Sequence, residues 1–483
     1  MKLLFSYILC ATAFIHAVSC KKIVEIDAPK TSLVDKTTFA NNVTATAVLT
    51  GIYQKMATKS DFAVYTGGIS AMAGLSADEI KNYSTDVSRQ EFYTNSLSIE
   101  NTMVRDAWNR AYNCIYTANI ALEGIQESVT LSSDVRNQLT GEAKFVRGFM
   151  YFYLVGLYGD VPLLLGSDYE KNAKTGRSSS GLVMQQAIAD LVDAEKMLSI
   201  EYRSAGNEAS TQKVRPNKAA AAAMLARAYL YAGEWQQAEQ FATFVMSNTF
   251  SYRLTSLDEV FNTNSDEAIW QLYMDASNGV RIYESQMYDM RFRAPGSGTE
   301  PYGLSTSLVT SFETGDERRV QWVGQKTYSG TNYYFPAKYK TYRNDGNPEE
   351  FLTVLRLGEM YLVRAEARAQ QGKLNGAESA EEDINAIRER AGLAPIHRAT
   401  LPAIMEAIEK ERRSELFTEW GHRWLDLKRW KGLSTAGSRL DEVMKDEAML
   451  KGGTWMPQKS VFPIPNYDIL KNPALIQNDG YKN

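Results

Sequence analysis

Apolar residues along most of the chain recur with the period of an α-helix. Between Val104 and Ile125 they fall at the i, i+3, i+4, i+7 spacing of an amphipathic helix. The same spacing predicts helices from Leu139 to Leu157 and from about Leu182 to Leu198. Pro216, followed by alanines at 219–223, predicts another, because Pro is tolerated at a helix start and Ala is the strongest helix former. We therefore predict a mainly α fold.

Residues 225–245 carry the pattern of a tetratricopeptide helix–turn–helix unit. Its positions are Leu225, Ala226, Tyr229, Gly233, Trp235 and Ala238. The small Ala226 and Ala238 let two helices approach, and Gly233 makes the turn between them, where we expect a positive φ. A looser copy follows at Tyr361, Ala365, Gly372, Leu374, Ala377 and Ile384. Such helix pairs stack into a scaffold, here over about 104–250 and 350–432.

Two stretches, about 53–101 and 275–345, lack this helical period. Between residues 283 and 342 there are 12 aromatic residues in 60, interrupted by turn-forming Gly and Pro. Long connections inside compact proteins are often functional. We therefore expect these two stretches to be loop-rich and to form the ligand-binding subregions.

The N-terminus has the features of an export signal. Residues 3–18 form a mostly apolar stretch, which is too short for a membrane span of roughly 20 residues but suits a secretory signal. It ends in Ala17-Val18-Ser19-Cys20, which resembles the cleavage site of a bacterial lipoprotein. In that interpretation residues 1–19 are removed and Cys20 carries diacylglycerol as a membrane anchor. The alternative is a plain signal peptide in which Cys20 is incidental.

Composition and charge exclude several classes of protein. The chain has 53 basic and 57 acidic residues, a net charge of −4, so it has no electrostatic reason to bind nucleic acid or anionic lipid. Only three Cys and three His are present, which rules out a disulfide scaffold and a multi-ligand Cys/His metal site. We expect Cys114 to be a buried small hydrophobe, and we expect no cofactor.

The sequence also lacks the common catalytic motifs. It contains no G-x-S-x-G, P-loop, G-x-G-x-x-G or H-E-x-x-H. The densest polar cluster spans Glu409–Asp426, and its Glu residues have Arg three or four positions away. This spacing predicts a salt-bridged helix face rather than a pair of catalytic carboxylates. We expect His422, inside the cluster, to be structural, and we predict that the protein is not an enzyme.

At this cluster the chain resembles a known family. The run Glu411–Phe417, followed by Glu419–Trp430, is similar to the C-terminal signature of the SusD/RagB family, the outer-membrane glycan- and nutrient-binding lipoproteins of Bacteroidetes. The family pattern has Glu directly before Gly, whereas Trp420 intervenes here, a departure expected to alter only a helix end. Further similar stretches, in the same order, are Trp108-Asn109, Glu142–Gly148, Tyr158–Pro162, Leu355–Glu366, Asn385–Gly392 and Pro463-Ile464-Pro465.

The resemblance implies a SusD-like domain over residues 20–483, with tetratricopeptide-like helix pairs on one side and a ligand site built from irregular segments on the other. It also implies a partner, a SusC-like TonB-dependent transporter whose extracellular mouth the lipoprotein covers. Ligands would be oligosaccharides or, in some members, peptides and other nutrients. A non-binding structural lid or scaffold of the transporter is the alternative function.

A sugar binder needs aromatic planes with polar groups beside them, because a sugar ring has an apolar face and a polar rim. By its position relative to the Trp108 helix, Asp78 resembles an acidic residue of the ligand site in some family members. Asp78 and the nearby Asn82 are expected to bind sugar hydroxyls while aromatic rings stack on the sugar faces. The complete expected set is Asp78, Asn82, Tyr83, Tyr283, Tyr302 and Trp322. The alternative for each ring is packing within its loop.

The anchor interpretation makes a direct prediction. Cys20→Ala should leave the fold intact but release the protein from the outer membrane, because the acyl chains are the only strong membrane attachment that the sequence indicates. Cell fractionation in a strain that lacks the transporter gene measures this. Recovery of the variant in the membrane fraction at the wild-type level would contradict lipidation at Cys20.

Overall fold

The computed structural model describes residues 37–57, 68–273, 282–288, 290–291, 294–296, 302–340, 350–433 and 437–481. Cys20 and the predicted signal peptide, residues 1–19, lie outside the described residues. The prediction of a mainly α fold is confirmed, since most of the described elements are helices and the strands are short.

The elements are numbered in chain order. The helices are α1 (Asn42–Ala57), α2 (Ile69–Ser76), α3 (Val87–Tyr93), α4 (Thr102–Glu127), α5 (Ser133–Tyr158), α6 (Tyr169–Asn172), α7 (Ser180–Met197), α8 (Lys218–Ala232), α9 (Trp235–Met246), α10 (Tyr283–Tyr288), α11 (Thr306–Ser311), α12 (Glu317–Gln321), α13 (Leu357–Gln370), α14 (Ala380–Arg390), α15 (Leu401–Leu416), α16 (His422–Arg429), α17 (Arg439–Leu450) and α18 (Asn466–Lys471), with a 3-10 turn at Pro457–Ser460. The strands are β1 (Ile80–Asn82), β2 (Tyr202–Arg203), β3 (Ala209–Ser210), β4 (Ala268–Leu272), β5 (Tyr302–Leu304), β6 (Val323–Tyr328), β7 (Thr331–Pro336) and β8 (Leu352–Arg356).

The long helices α4, α5, α7 and α8 pack in succession and form most of the main core. The alanines at 219–223 are all buried in α8, so this helix approaches its neighbours closely. Cys114 is buried in α4, as expected. Among the described residues, no helix combines the length and the apolar character that a bilayer crossing requires.

The helix pair α8–α9 has the features of the predicted tetratricopeptide unit. Gly233 has φ +77° and ends α8, which confirms the predicted positive φ at this turn. Ala226 and Ala238 are both fully buried. The rings of Tyr229 and Phe241 stack across the pair with their centroids 5.7 Å apart. A second pair, α13–α14, corresponds to the looser copy and packs on α9.

The stretch at about 275–345, predicted to be loop-rich, contains short regular elements between its loops. Helices α10, α11 and α12 and the antiparallel hairpin β6–β7 lie within it, and β5 pairs antiparallel with β1 from the other predicted loop region. The hydrophobic pattern did not indicate these elements, because elements of three to six residues are too short to establish a hydrophobic period. The other antiparallel pairs are β4–β8 and β2–β3.

The close packing of α8 on α9 is testable. Ala226→Leu and Ala238→Leu should each lower stability by roughly 1–3 kcal/mol, because added methylene groups overpack a filled contact. Gln236→Leu, at an exposed position of α9, is the matched control and should leave the urea midpoint nearly unchanged. Equal midpoints for all three variants would contradict the packing described here.

Candidate functional site

Three half-buried tyrosines lie together where the two predicted loop regions meet. Tyr83 directly follows β1, and Tyr328 and Tyr333 belong to the β6–β7 hairpin. The ring centroids of Tyr83 and Tyr333 are 5.5 Å apart with the planes at 70°, and those of Tyr333 and Tyr328 are 6.2 Å apart. We call this group the tyrosine face. Its rings are partly open to solvent, as a stacking platform requires.

The side chain of Asn82 shapes the turn that places Tyr83. Its amide nitrogen donates to Ser84 O at 3.1 Å and to Gln90 Oε1 at 2.9 Å, and its oxygen accepts from Ser84 N at 3.0 Å. In the hairpin, the hydroxyl of Tyr328 donates to Met290 O at 2.6 Å. Burial, with Tyr333 nearby, raises the pKa of Tyr83 to about 12, so its hydroxyl stays protonated and can donate to a ligand.

Two of the expected site rings are interior residues instead. Tyr302 is 1% exposed and Trp322 is 0% exposed, so neither presents a face for stacking. Trp322 donates from Nε1 to Leu257 O at 2.8 Å and belongs to a small core that also contains Phe261 and Phe417. The expectation that they are accessible was wrong because a ring without a helical period can still be buried by a hairpin and short helices.

Asp78 lies in a buried ion pair and not in the sugar-binding position that was expected. Its carboxylate is buried and accepts from Arg423 Nε at 2.8 Å and Nη2 at 2.9 Å, with Arg413 Nη2 2.8 Å away. Burial opposes ionisation, but Arg423 and Arg413 hold the pKa of Asp78 well below its usual range. We therefore correct its role to that of an internal ion-pair partner. Burial, with Asp78 adjacent, raises the pKa of the next residue, Glu79, to about 7.

The remaining site predictions have different outcomes. Tyr283 begins α10, but its side chain lies outside the described residues. Asn82 and Tyr83 stay in the candidate site, Asn82 as a positioning residue. Tyr328 and Tyr333 were missed, although Ser329-Gly330 between two alternating runs is a hairpin signal that assigns both tyrosines to one face.

The charged cluster of the C-terminal signature is a buried network rather than an exposed helix face. Arg356, at the end of β8, lies at its centre and donates to Glu419 Oε2 at 2.8 Å, to Glu267 Oε1 at 2.8 Å and to Glu415 Oε1 at 2.6 Å. Lys338 also donates to Glu419. The cluster is structural, as predicted, but its main partners come from distant segments and not from the same helix turn.

Glu415 joins the network to three arginines. Arg318 donates to Glu415 Oε2 at 3.1 Å, and Arg356 and Arg390 donate to its other oxygen. Burial opposes ionisation, but these three guanidinium groups hold the pKa of Glu415 well below its usual range. Gly358 leaves the necessary space, since a Cβ there would lie 2.5 Å from Arg356 Nη1 and 3.0 Å from Glu415 Oε1.

His422 is buried among these charges and has Nε2 3.9 Å from Glu359 Oε1. Burial and the surrounding cations, beginning with Arg227, hold its pKa well below its usual range. This environment agrees with the predicted structural role. Trp420, the residue inserted in the signature, has φ +47° and donates from Nε1 to Thr353 O at 2.8 Å.

Comparison with known protein families gives two matches. The SusD family model matches residues 321–481, and a SusD-like model described as starch-binding and associating with the outer membrane matches residues 26–230. Together the two stretches take in most of the chain. Both contain parts of the site, since Tyr83 lies in the second stretch and the hairpin tyrosines lie in the first.

Individual relatives agree with these matches. SusD-like protein P25 of Formosa agariphila is 25% identical, with 96% of this chain and 96% of that protein covered. The starch-binding protein SusD of Bacteroides thetaiotaomicron is 33% identical over 37% of this chain and 31% of its own. The structure of surface glycan-binding protein A from Bacteroides uniformis has 21% identity and a TM-score of 0.74, covering 90% of this chain and 99% of that chain. At this identity the structural likeness shows the fold.

The buried network predicts a large effect of removing one charge. Glu415→Gln should lower the free energy of unfolding by about 3–5 kcal/mol, because it removes from the buried network a negative charge that three guanidinium groups share. Asp266→Asn is the matched control, since the Asp266–Arg253 pair is exposed and should contribute at most about 1 kcal/mol. Urea unfolding at neutral pH measures both, and similar midpoints would contradict a stabilising role for the network.

Proposed function

The chain belongs to the SusD-like family, whose members bind carbohydrate in association with the outer membrane, and on this premise we propose that it captures an oligosaccharide on the tyrosine face. The observation that carries the proposal is the contact of Tyr83 with Tyr333, which joins two half-buried rings from distant parts of the chain. We further propose that the protein acts by binding alone and catalyses no reaction.

The physical basis is stacking of sugar rings on tyrosine rings. A stacked ring hides about 50 Å² of apolar sugar surface, which is worth roughly 1 kcal/mol at about 25 cal/mol per Å². Three such rings with a few hydrogen bonds give about 4–6 kcal/mol, which corresponds to dissociation constants from about millimolar to tens of micromolar. Weak capture suits a protein that releases its ligand to another component.

We propose that this component is a SusC-like TonB-dependent transporter and that the protein is held beside it at the cell exterior by lipid on Cys20. The apolar N-terminal stretch ending at Cys20 supports the anchor, and membership of the SusD-like family supports the partner. Delivery then needs no chemistry, because the transporter competes for a ligand that dissociates readily.

Two other functions remain as alternatives. The protein could be a structural lid of the transporter that binds nothing, or a binder of peptides rather than glycans. The partly open rings of Tyr83 and Tyr333 favour a ligand-binding role, because a structural lid has no need of such a platform. Oligosaccharide is favoured over peptide by the starch-binding description of the family model that matches residues 26–230.

A glycan array followed by isothermal titration calorimetry, using the protein without residues 1–20, tests the proposal. Tyr83→Ala and Tyr333→Ala should each weaken binding of the array ligand about tenfold, roughly 1.4 kcal/mol, because each removes one stacking surface. The midpoints of thermal unfolding should change little, since both rings are only half-buried.

Two control variants complete this experiment. Tyr169→Ala removes a tyrosine that is 72% exposed on α6 and should leave affinity unchanged. Trp322→Ala should lower stability by about 3–5 kcal/mol while binding per folded molecule is retained, because the residue is core. Binding of peptides but not glycans, or unchanged affinity in both tyrosine variants, would contradict the proposal.

A further inference from the structure

We propose that the tyrosine face selects an oligosaccharide that carries negative charge, as a carboxylate or a sulfate ester. This inference rests on the proposed function and adds the chemical class of the ligand. It is carried by two lysines, Lys81, whose ammonium lies by the ring of Tyr83, and Lys326, the cross-strand partner of Tyr333.

Lys81 lies next to the first ring. It is the middle residue of β1 and is exposed, and its Nζ is 5.4 Å from the centroid of the Tyr83 ring. At this distance the ammonium is attracted by the ring while its remaining N–H groups stay open to solvent. A ligand that stacks on Tyr83 therefore meets a cation at the edge of that ring.

Lys326 is the cross-strand neighbour of the second ring. In the β6–β7 register it is paired directly with Tyr333. Directly opposed residues of an antiparallel pair point to the same face of the sheet, with their Cβ atoms about 4.5–5.5 Å apart. Lys326 is exposed, so each of the two paired rings has an exposed lysine as a neighbour.

Neither lysine is neutralised within the described part of the chain. No described carboxylate lies within ion-pair distance of Lys81 or Lys326, whereas most of the buried arginines have carboxylate partners. The described acids of the adjoining segment are engaged elsewhere: Asp86 accepts from Arg89 N at 3.0 Å, and Glu91 accepts from Asn101 Nδ2 at 2.6 Å.

The charge excess is local, because the whole chain has a net charge of −4. What sets Lys81 and Lys326 apart from the other exposed lysines is their position, since each lies beside a ring of the tyrosine face. An acidic group on the sugar is attracted by both ammonium groups and does not have to displace a carboxylate of the protein. Because both lysines are exposed, salt screens this attraction.

Matched oligosaccharides test this inference. The probes are oligogalacturonides with their methyl esters, and sulfated galactan oligosaccharides with their desulfated forms, titrated into the protein lacking residues 1–20. We expect the acidic member of at least one pair to bind about tenfold more tightly than its neutral partner. Raising salt from about 0.05 to about 0.5 M should remove most of that difference.

Variants assign the effect to the two lysines. The double variant Lys81→Gln/Lys326→Gln should lose the preference for the acidic probe and bind the neutral one as before. Lys81→Arg/Lys326→Arg retains the charges and should retain the preference. Lys171→Gln, at an exposed position of α6, controls for loss of net positive charge and should have no effect.

The outcomes separate the inference from the function on which it rests. Equal affinity for acidic and neutral probes, with loss of binding in Tyr83→Ala, overturns the charge preference and leaves glycan capture intact. An acidic preference that survives the double lysine-to-glutamine variant also overturns it. Failure of every probe to bind counts against glycan capture itself and removes the basis for the inference. Which pair responds distinguishes carboxylate from sulfate.

Discussion

The buried ion-pair network around Arg356 and Glu415 is the constraint on which the arrangement of the molecule depends. It joins the residue before β4, the end of β8, the helices α12, α14 and α15, and the loop that follows α15. Removing these charges from water is unfavourable, so the network is stable only when all the segments arrive together with their partners in place. We infer that it specifies one relative placement of the helix pairs and the hairpin, a role that nonspecific apolar burial cannot supply.

Trp322 lies between this network and the ligand-binding region. Its ring lies 4.9 Å from Lys338 Nζ, 5.5 Å from the guanidinium carbon of Arg390 and 5.8 Å from that of Arg356, and it also packs in a small apolar core. The ring therefore covers buried cations from the side of the β6–β7 hairpin. The β6 residues next to Trp322 belong to the interior, whereas the half of the hairpin nearer its turn carries Tyr328 and Tyr333. The boundary between the buried core and the tyrosine face therefore lies within the β6–β7 hairpin.

The helical half of the molecule was predictable from sequence because helices and their turns depend on local spacing. The α4 and α5 patterns, the positive φ of Gly233 and the burial of Ala226 and Ala238 all follow from residues within a few turns of one another. The ion pairs did not follow from the i, i+4 rule, because Arg318 and Glu415 are 97 positions apart. Helix-face reasoning identified the cluster as structural but could not find its partners.

The candidate site was predicted only in part for a related reason. Asn82 and Tyr83 were found because they lie in an irregular stretch, but irregularity does not separate an exposed ring from one buried by a distant element. Burial of Tyr302 depends on tertiary contacts, among them the packing of its ring 5.9 Å from that of Tyr288. Conversely, Tyr333 is placed by the hairpin register and by Tyr83, which lies 250 positions earlier in the chain.

Asp78 connects the family signature to the ligand face without contacting a ligand. Arg413 and Arg423, both in the signature, hold its carboxylate, while its backbone oxygen accepts from the hydroxyl of Ser305 at 2.6 Å. Asp78 stands just before β1, and β1 leads directly to Tyr83. The signature residues thus hold the start of β1 in place, and Tyr83 directly follows the end of this strand. An acidic residue at this position can therefore matter for binding through the placement of Tyr83, even though its own oxygens are occupied by arginine.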